Sequence, residues 1–151
     1  MKIQRCLANY QGVINLISEA MMTEIFDHQW ATGRRLARML NMGHQAYYAM
    51  TDDGARFLGL AFGWPEHDGS FHVAHFGVKH SFRRMGIGRA LMEYVYEVNG
   101  MRPLTLHVQK KNEGAYKFYR ALGCKKVTAT SLYAPTCYRM KLEGVEFRRL
   151  A

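Results

Sequence analysis

The sequence predicts an α/β fold of the α+β kind: a mixed, mainly antiparallel sheet of six to seven strands with about four helices on its faces. Two observations carry this prediction. The first half of the chain contains strand patterns joined as hairpins, which pair antiparallel. The second half alternates strand and helix, which is typical of helices packed on a sheet. We expect one domain over residues 1–151, because no Pro- or Ser-rich linker interrupts the chain.

The N-terminal third predicts one strand and two helices. Residues 2–8 can form the strand. Apolar residues then recur at helical spacing, at Val13, Ile14, Ile17, Ala20 and Met21. A second apolar stripe predicts another helix; its members are Phe26, Trp30, Gly33, Ala37 and Leu40. Gly43 is a reasonable end for that helix.

Strand patterns dominate the middle of the chain. Residues 45–50 and 55–64 flank Thr51-Asp52-Asp53-Gly54, a strong turn signal, and residues 70–78 predict a third strand. The remaining predicted elements are a helix over 86–99, a strand over 104–108, a helix over 113–122, and strands over 125–130 and 136–142.

Composition excludes several classes of protein. Apolar residues make up 48% of the chain, so it is not compositionally disordered. No apolar run approaches the roughly 20 residues needed to cross a bilayer, and the first residues lack the apolar segment of a secretory signal. We therefore expect no membrane partner and a cytoplasmic location. The three cysteines cannot complete a disulfide framework, and the seven histidines show no metal-ligand spacing, so we expect no metal site.

Residues 78–92 run from an apolar strand, through a basic turn, into an amphipathic helix. Gly86 and Gly88 let the backbone approach a ligand closely, and the first N–H groups of a helix have no internal partners. Those donors, with the positive end of the helix dipole, can bind a phosphate. Arg83, Arg84 and Arg89 add positive charge where the anion would lie. A glycine-rich turn with solvated arginines is the alternative.

The run Arg83-Arg84-Met85-Gly86-Ile87-Gly88 resembles the Arg/Gln-x-x-Gly-x-Gly/Ala signature of the GNAT superfamily of acetyl-CoA-dependent N-acetyltransferases. In that family the signature holds the pyrophosphate of acetyl-CoA, and the end of the preceding strand pairs with the pantetheine arm. The resemblance implies acetyl-CoA as co-substrate. The cofactor-binding residues that it implies are Phe76, Gly77, Val78, Arg83, Arg84, Met85, Gly86, Ile87, Gly88, Arg89, Asn112 and Tyr119.

The helix predicted over 113–122 carries a second motif. Asn112 can cap this helix and Gly123 can end it, while Tyr119 lies on or beside its buried face. From spacing alone, Tyr119 can equally be part of the core. The segment resembles the second GNAT motif, except that Cys124 replaces the usual Phe. The resemblance implies that Asn112 bonds to the cofactor arm and that Tyr119 protonates the departing thiolate.

Histidines are the candidates for the base that takes the proton of the amine. GNAT relatives often use a Glu on the strand that corresponds to residues 70–78, which here contains no carboxylate. His72 and His75 differ by an odd number, so we expect them on opposite faces. The strand resembles that of the arylalkylamine acetyltransferases, and His72 matches the first of their two histidines. We favour His72 as general base or part of a water relay. A packed, hydrogen-bonded histidine is the alternative.

The expected reaction is direct acetyl transfer in a ternary complex, to a small amine or to a protein or peptide amine. Acidic residues that could border the acceptor are Glu19, Glu24, Asp27, Glu66 and Asp68; Ser131, Tyr133 and Thr136 lie in a loop that often closes this side in relatives. A non-catalytic acyl-CoA-binding or sensing module is the first alternative. The net charge of +9 leaves a basic nucleic-acid-binding domain as a less favoured one. GNAT relatives are often dimers, so residues 145–151 could pack in a homodimer.

Overall fold

The computed structural model describes residues 1–26, 28–127 and 136–143. The strands of this part of the chain are β1 (Lys2–Cys6), β2 (Gln45–Met50), β3 (Phe57–Pro65), β4 (Phe71–Val78), β5 (Leu104–Gln109), β6 (Lys125–Lys126) and β7 (Cys137–Leu142). Its α-helices are α1 (Gln11–Glu19), α2 (Gly33–Asn41), α3 (Ile87–Val98) and α4 (Glu113–Leu122). The predicted fold class is confirmed.

The strands form one sheet in the order β1-β2-β3-β4-β5-β7-β6. Neighbouring strands are antiparallel except β4 and β5, which are parallel. Those two strands pair only over residues 71–73 with 104–106, although they continue to Val78 and Gln109. The sheet therefore opens in its middle, between the carboxyl halves of β4 and β5.

The two faces of the sheet carry separate apolar cores. On β2, Tyr47 belongs to one core, whereas Ala46 and Tyr48 belong to the other. Because successive strand residues point to opposite faces, the two cores lie on opposite sides of the sheet. The first core contains buried side chains of α3 and α4, and the second contains those of α1 and α2. The opening between β4 and β5 is thus bordered by helices on both sides.

Helix α2 begins later than the sequence predicts. Thr32 is extended, with a ψ of 154°, and its hydroxyl accepts a hydrogen bond from the backbone N–H of Arg35 at 3.3 Å. This cap starts the helix at Gly33. The expectation that Phe26 and Trp30 belong to the same helical stripe is therefore wrong. They lie instead in an irregular segment that follows α1 and its π-helical extension, Ala20–Glu24.

Several sequence predictions lie wholly or partly outside the described residues. The strand predicted over 125–130 is described at Lys125–Lys126, and residues 128–130 are not described. Asp27, the loop residues Ser131 and Tyr133, and residues 145–151 also lie outside. No helix in the described ranges is long and apolar enough to span a membrane.

Candidate active site

A pocket of about 200 Å³ lies where β4 and β5 separate. Its walls come from β4, β5, α4 and the segment before α2. The lining residues are Phe26, His28, Val73, Ala74, His75, Phe76, His107, Val108, Gln109, Asn112, Ala115 and Tyr119. Three of the residues predicted from the motifs, Phe76, Asn112 and Tyr119, therefore meet at the open middle of the sheet.

Helix α4 contributes two predicted site residues to this pocket. The Oδ1 of Asn112 accepts a hydrogen bond from the backbone N–H of Ala115 at 3.2 Å, and Gly123 ends the helix with a φ of 106°. The predicted cap and end of the helix are both confirmed. Tyr119 is 8% exposed. Burial, with a smaller contribution from Cys124, raises the pKa of its phenol above the ordinary value, so the phenol keeps its proton at neutral pH.

The glycine-rich loop leads into α3 as the sequence predicts. Gly86 precedes the helix with a φ of 79°. Arg84 has a φ of 64°, which is uncommon for a residue with a side chain. Arg83 and Arg84 are exposed, and the Nε of Arg83 donates a hydrogen bond to the carbonyl oxygen of Val78 at 3.2 Å. The loop thus brings positive charge, the end of β4 and the N-terminus of a helix to one place.

Gly88 has a packing role that the sequence analysis does not predict. A Cβ at this position would lie 3.1 Å from the ring of Phe118 and 3.3 Å from the ring of Phe76. Those two rings stack on each other with their centroids 5.6 Å apart. The missing side chain therefore lets the first turn of α3 contact both β4 and α4. Arg89 follows in the same turn of α3, and its Nε donates a hydrogen bond to Oε1 of Glu93 at 3.0 Å.

The two histidines of β4 lie on the same face of the sheet, contrary to the sequence prediction. His72 is opposite Trp64 of β3, and His75 is opposite Phe62, while Ala74 is an extra residue between them. Phe62 and Trp64 are two residues apart and share a face, so their partners share it too. The prediction is wrong because it assumes an unbroken strand, and a β-bulge shifts the alternation by one residue.

His72 lies behind the pocket wall rather than in it. Its Nδ1 is 2.9 Å from Oγ1 of Thr105 and 3.8 Å from Oε1 of Glu66. Its ring centroid is 5.3 Å from that of His107, which lines the pocket. Burial, followed by the charges of His107 and Arg139, lowers the pKa of His72 to about 4. The imidazole is therefore neutral at neutral pH.

His75 lines the pocket directly. Its ring centroid lies 4.9 Å from that of His28, 5.2 Å from that of Trp30 and 6.0 Å from that of Phe26. Burial, followed by the neighbouring His28 and His72, lowers the pKa of His75 to about 4. A neutral imidazole in this position has one nitrogen that can accept a proton and one that can donate a hydrogen bond.

Two pocket histidines are missed by the sequence analysis. His107 lies between the buried residues Leu106 and Val108 of β5. Because Leu106 and Val108 face the core, the alternation of a strand predicts that His107 lies on the other face of the sheet. His28 carries no such signal, because it lies in the irregular segment before α2. The described residues contain no group of three or more His, Cys, Asp or Glu side chains that could hold a metal ion, and this includes the imidazoles of the pocket.

Three solved structures resemble this chain over nearly their whole length. An aminoglycoside 6′-acetyltransferase of type Ii has a TM-score of 0.76 at 19% identity and covers 95% of this chain and 97% of its own. The ribosomal-protein-S18-alanine N-acetyltransferase of Escherichia coli has a TM-score of 0.71 at 18% identity, with 99% and 98% covered. The PaiA N-acetyltransferase of Thermoplasma acidophilum, in complex with coenzyme A, has a TM-score of 0.71 at 14% identity, with 95% and 100% covered. At these identities the likeness shows the fold alone.

A family model provides the sequence-level assignment. No curated protein sequence matches the chain significantly. The model of the Acetyltransferase (GNAT) family matches residues 13–124, which is most of the chain. The match spans the glycine-rich loop, both strands that border the pocket, and α4 with Asn112 and Tyr119. The resemblance found in the sequence is confirmed, and the chain belongs to the GNAT family of acetyltransferases.

Proposed function

We propose that this protein transfers an acetyl group from acetyl-CoA directly to a primary amine within a ternary complex. One observation carries the proposal: the gap between β4 and β5 contains a pocket that is lined by the buried phenol of Tyr119 and by the imidazoles of His75 and His107. A phenol can donate a proton to a departing thiolate, and an imidazole can accept one from an amine. Membership of the GNAT family supports the same reaction class.

The residues around the gap fit a CoA thioester. The N-terminus of α3 and the exposed Arg83 and Arg84 offer donors and positive charge to a pyrophosphate. The half of β4 that does not pair with β5 offers backbone groups to the amide-containing arm. Asn112 uses Oδ1 for its helix cap, which leaves the amide nitrogen as a donor for the same arm.

The proposed chemistry balances as one acyl transfer. The nitrogen of the neutral amine bonds to the thioester carbonyl carbon, and the carbon–sulfur bond breaks. Tyr119 donates its proton to the departing sulfur, and backbone N–H groups at the gap stabilise negative charge on the carbonyl oxygen. The nitrogen gives up a proton, which restores the phenol of Tyr119. His75 and His107 border the pocket and are proposed to contact the amine, with His72 acting behind them in a relay.

A panel of amines tests this function. We would incubate the protein with acetyl-CoA and phenethylamine, spermidine, lysine, kanamycin, a peptide with a free N-terminal alanine, or a peptide with an internal lysine. Acetylated products would be detected by mass spectrometry, with protein-free and acetyl-CoA-free reactions as controls. We expect at least one product that needs both components. If CoA binds by calorimetry but no amine is acetylated, the proposed transfer is wrong and a non-catalytic acyl-CoA-binding module is the better description.

The assignment of the phosphate loop leads to a second expected result. Replacing Arg83 and Arg84 by Gln should weaken CoA binding roughly 10- to 100-fold, because charge-assisted hydrogen bonds to phosphate are lost. The matched control replaces Arg34 and Arg35, which are exposed on α2, and changes the net charge equally. Calorimetry at low and high salt would measure both variants. Equal weakening in the two variants would mean that only the overall charge matters and that the loop is not the phosphate site.

A further inference from the structure

The face of the sheet that carries the pocket histidines continues onto β7. His107 of β5 is paired with Arg139 of β7. Each of them alternates with residues that pack in the core containing α4, which are Val108 on β5 and Tyr138 and Met140 on β7. Arg139 therefore shares the face of His107. Since paired side chains of neighbouring antiparallel strands have Cβ atoms about 4.5–5.5 Å apart, the side chain of Arg139 starts directly beside a residue that lines the pocket.

Arg139 has no counter-ion among the described residues. Its side chain is partly buried, and the ion pairs formed between described residues do not include it. The two carboxylates of the β3–β4 turn have other partners. Glu66 lies 3.8 Å from Nδ1 of His72, and Asp68 accepts a hydrogen bond from the backbone N–H of Ser70 at 2.9 Å. Because a partly buried cation without a partner is costly, we expect an anion beside Arg139 when the site is occupied.

The charge of Arg139 is felt inside the site. Burial and then the charge of Arg139 lower the pKa of His107, while Glu66 opposes them. Burial, His107 and Arg139 in turn lower the pKa of His72. Both imidazoles therefore experience the positive potential of the guanidinium. An acceptor that brings a negative group would offset this potential, whereas a polycationic acceptor would be repelled by it.

Positive charge also borders the pocket at the end of β5. Gln109 lines both the pocket and a neighbouring cavity of about 460 Å³, whose other described walls are Lys110, Lys111 and Thr136. The backbone N–H of Asn112 donates to the carbonyl oxygen of Gln109 at 2.9 Å, so the two lysines are the central residues of a tight turn. The described walls of the two cavities contain no carboxylate. The approach to the pocket is therefore positive and attracts anions.

We propose that the acceptor is an amine that also carries an oxyanion, a carboxylate or a phosphate, and that Arg139 binds this group while the amine enters the pocket, an inference that rests on the proposed acetyl transfer. A guanidinium presents parallel N–H donors to the oxygens of a carboxylate or phosphate, so Arg139 orients the acceptor as well as attracting it. Free amino acids and phosphorylated amines belong to this class. The N-terminus of a peptide does not, because a neutral amide replaces the carboxylate.

Matched acceptors test the role of the negative group. Alanine and phenylalanine would each be compared with their carboxamides, which have the same shape without the charge, and phosphoethanolamine with ethanolamine. We would measure kcat/KM for each acceptor in the wild type and in Arg139→Gln, since the change between the two proteins cancels the different basicities of the amines. We expect the variant to lose roughly 10- to 100-fold more with the anionic member of a pair than with its neutral partner. The pair that responds distinguishes a carboxylate from a phosphate.

Two further variants separate a specific contact from overall charge. Lys141→Gln removes the same charge from the same face of β7, where Lys141 lies opposite Thr105 and pairs with Glu143 at 2.9 Å. It should affect both members of each pair alike. Arg139→Lys keeps the charge but loses the parallel donors, so its loss should lie between those of wild type and Arg139→Gln. Equal losses with the anionic and neutral members of every pair in Arg139→Gln would overturn the assignment of Arg139.

Product binding provides a readout that does not need turnover. Calorimetry on the CoA-loaded protein would compare N-acetylphenylalanine with N-acetylphenylalaninamide, and N-acetylalanine with N-acetylalaninamide, with phosphoethanolamine as the phosphate probe. Tighter binding of an anionic compound that is lost in Arg139→Gln supports the oxyanion site, and equal or absent binding contradicts it. A wild type that acetylates neutral amines without any response to Arg139→Gln refutes the oxyanion site alone. If CoA binds but no amine is acetylated, the proposed transfer fails, and calorimetry still decides whether Arg139 binds an oxyanion.

Discussion

Replacing Tyr119 by Phe should lower the rate of acetyl transfer by about 10²- to 10⁴-fold, the range for removal of a general acid. Burial raises the pKa of this phenol, which would weaken it as an acid toward a solvated thiolate. In the proposed complex the departing sulfur lies beside this phenol at the same partly enclosed pocket, so loss of solvation raises the proton affinity of the thiolate as well. Proton transfer from Tyr119 to the sulfur therefore stays feasible.

The Phe variant should fold normally, because the ring of Tyr119 keeps its contacts with Phe76 and Phe118. Tyr116→Phe is the matched control: it lies on the same helix but packs on Tyr138, away from the pocket. Rapid-quench measurement of a single turnover would isolate the chemical step from product release. The expected loss is at least about 10²-fold. If the Tyr119→Phe rate falls by less than about twofold, Tyr119 has no catalytic role and contributes only to packing.

Gly63→Ala should reduce the free energy of unfolding by about 3 kcal/mol, at the upper end of the range for overpacked sites. A Cβ at Gly63 would lie 1.9 Å from the carbonyl oxygen of His72, so the backbone of β4 must move. For a chain of this length, such a loss corresponds to a fall in Tm of about 6–12 °C. Because the displaced residue is His72, the variant should also lose activity beyond its loss of stability.

Gly12→Ala provides the control for that experiment. Gly12 lies in α1, and an added Cβ would meet nothing within 4 Å. Alanine should leave stability unchanged or raise it by up to about 1 kcal/mol, because it restricts the unfolded chain and favours the helix. Chemical denaturation of the two variants beside wild type would measure both changes. If Gly63→Ala unfolds at the same denaturant concentration as wild type, the close approach of Gly63 to the backbone of His72 is wrong.

The sequence was sufficient for features that depend on near neighbours along the chain. The cap at Asn112, the end of α4 at Gly123 and the start of α3 after Gly86 each follow from one residue type at one position. The alternation of strands and helices gave the fold class for the same reason. The GNAT motifs added the order of the elements and the expectation of a CoA site.

Features that depend on residues distant in the sequence could not be predicted from it. The bulge at Ala74 exists because β4 pairs with β3, and pairing register is not encoded in β4 alone. His75 consequently appeared to face away from His72. Phe26 and Trp30 have helical spacing from Gly33, but the Thr32 cap and the packing of the segment after α1 override it. His28 reaches the pocket only because of that packing.

The separation of β4 from β5 has a consequence for which molecules can pair with the two open strand edges. Unpaired strand edges invite other chains to pair with them, and most proteins protect the rims of their sheets for this reason. Here the edges that do not pair with each other lie in the middle of the sheet, with α1 and α2 on one face and α3 and α4 on the other. We expect these helices to leave too little room for another strand with side chains on both faces. A slender, flexible molecule can still enter. The opening between β4 and β5 therefore selects by width the molecules that can bond to its backbone groups. Contacts with side chains then select among those molecules by chemistry.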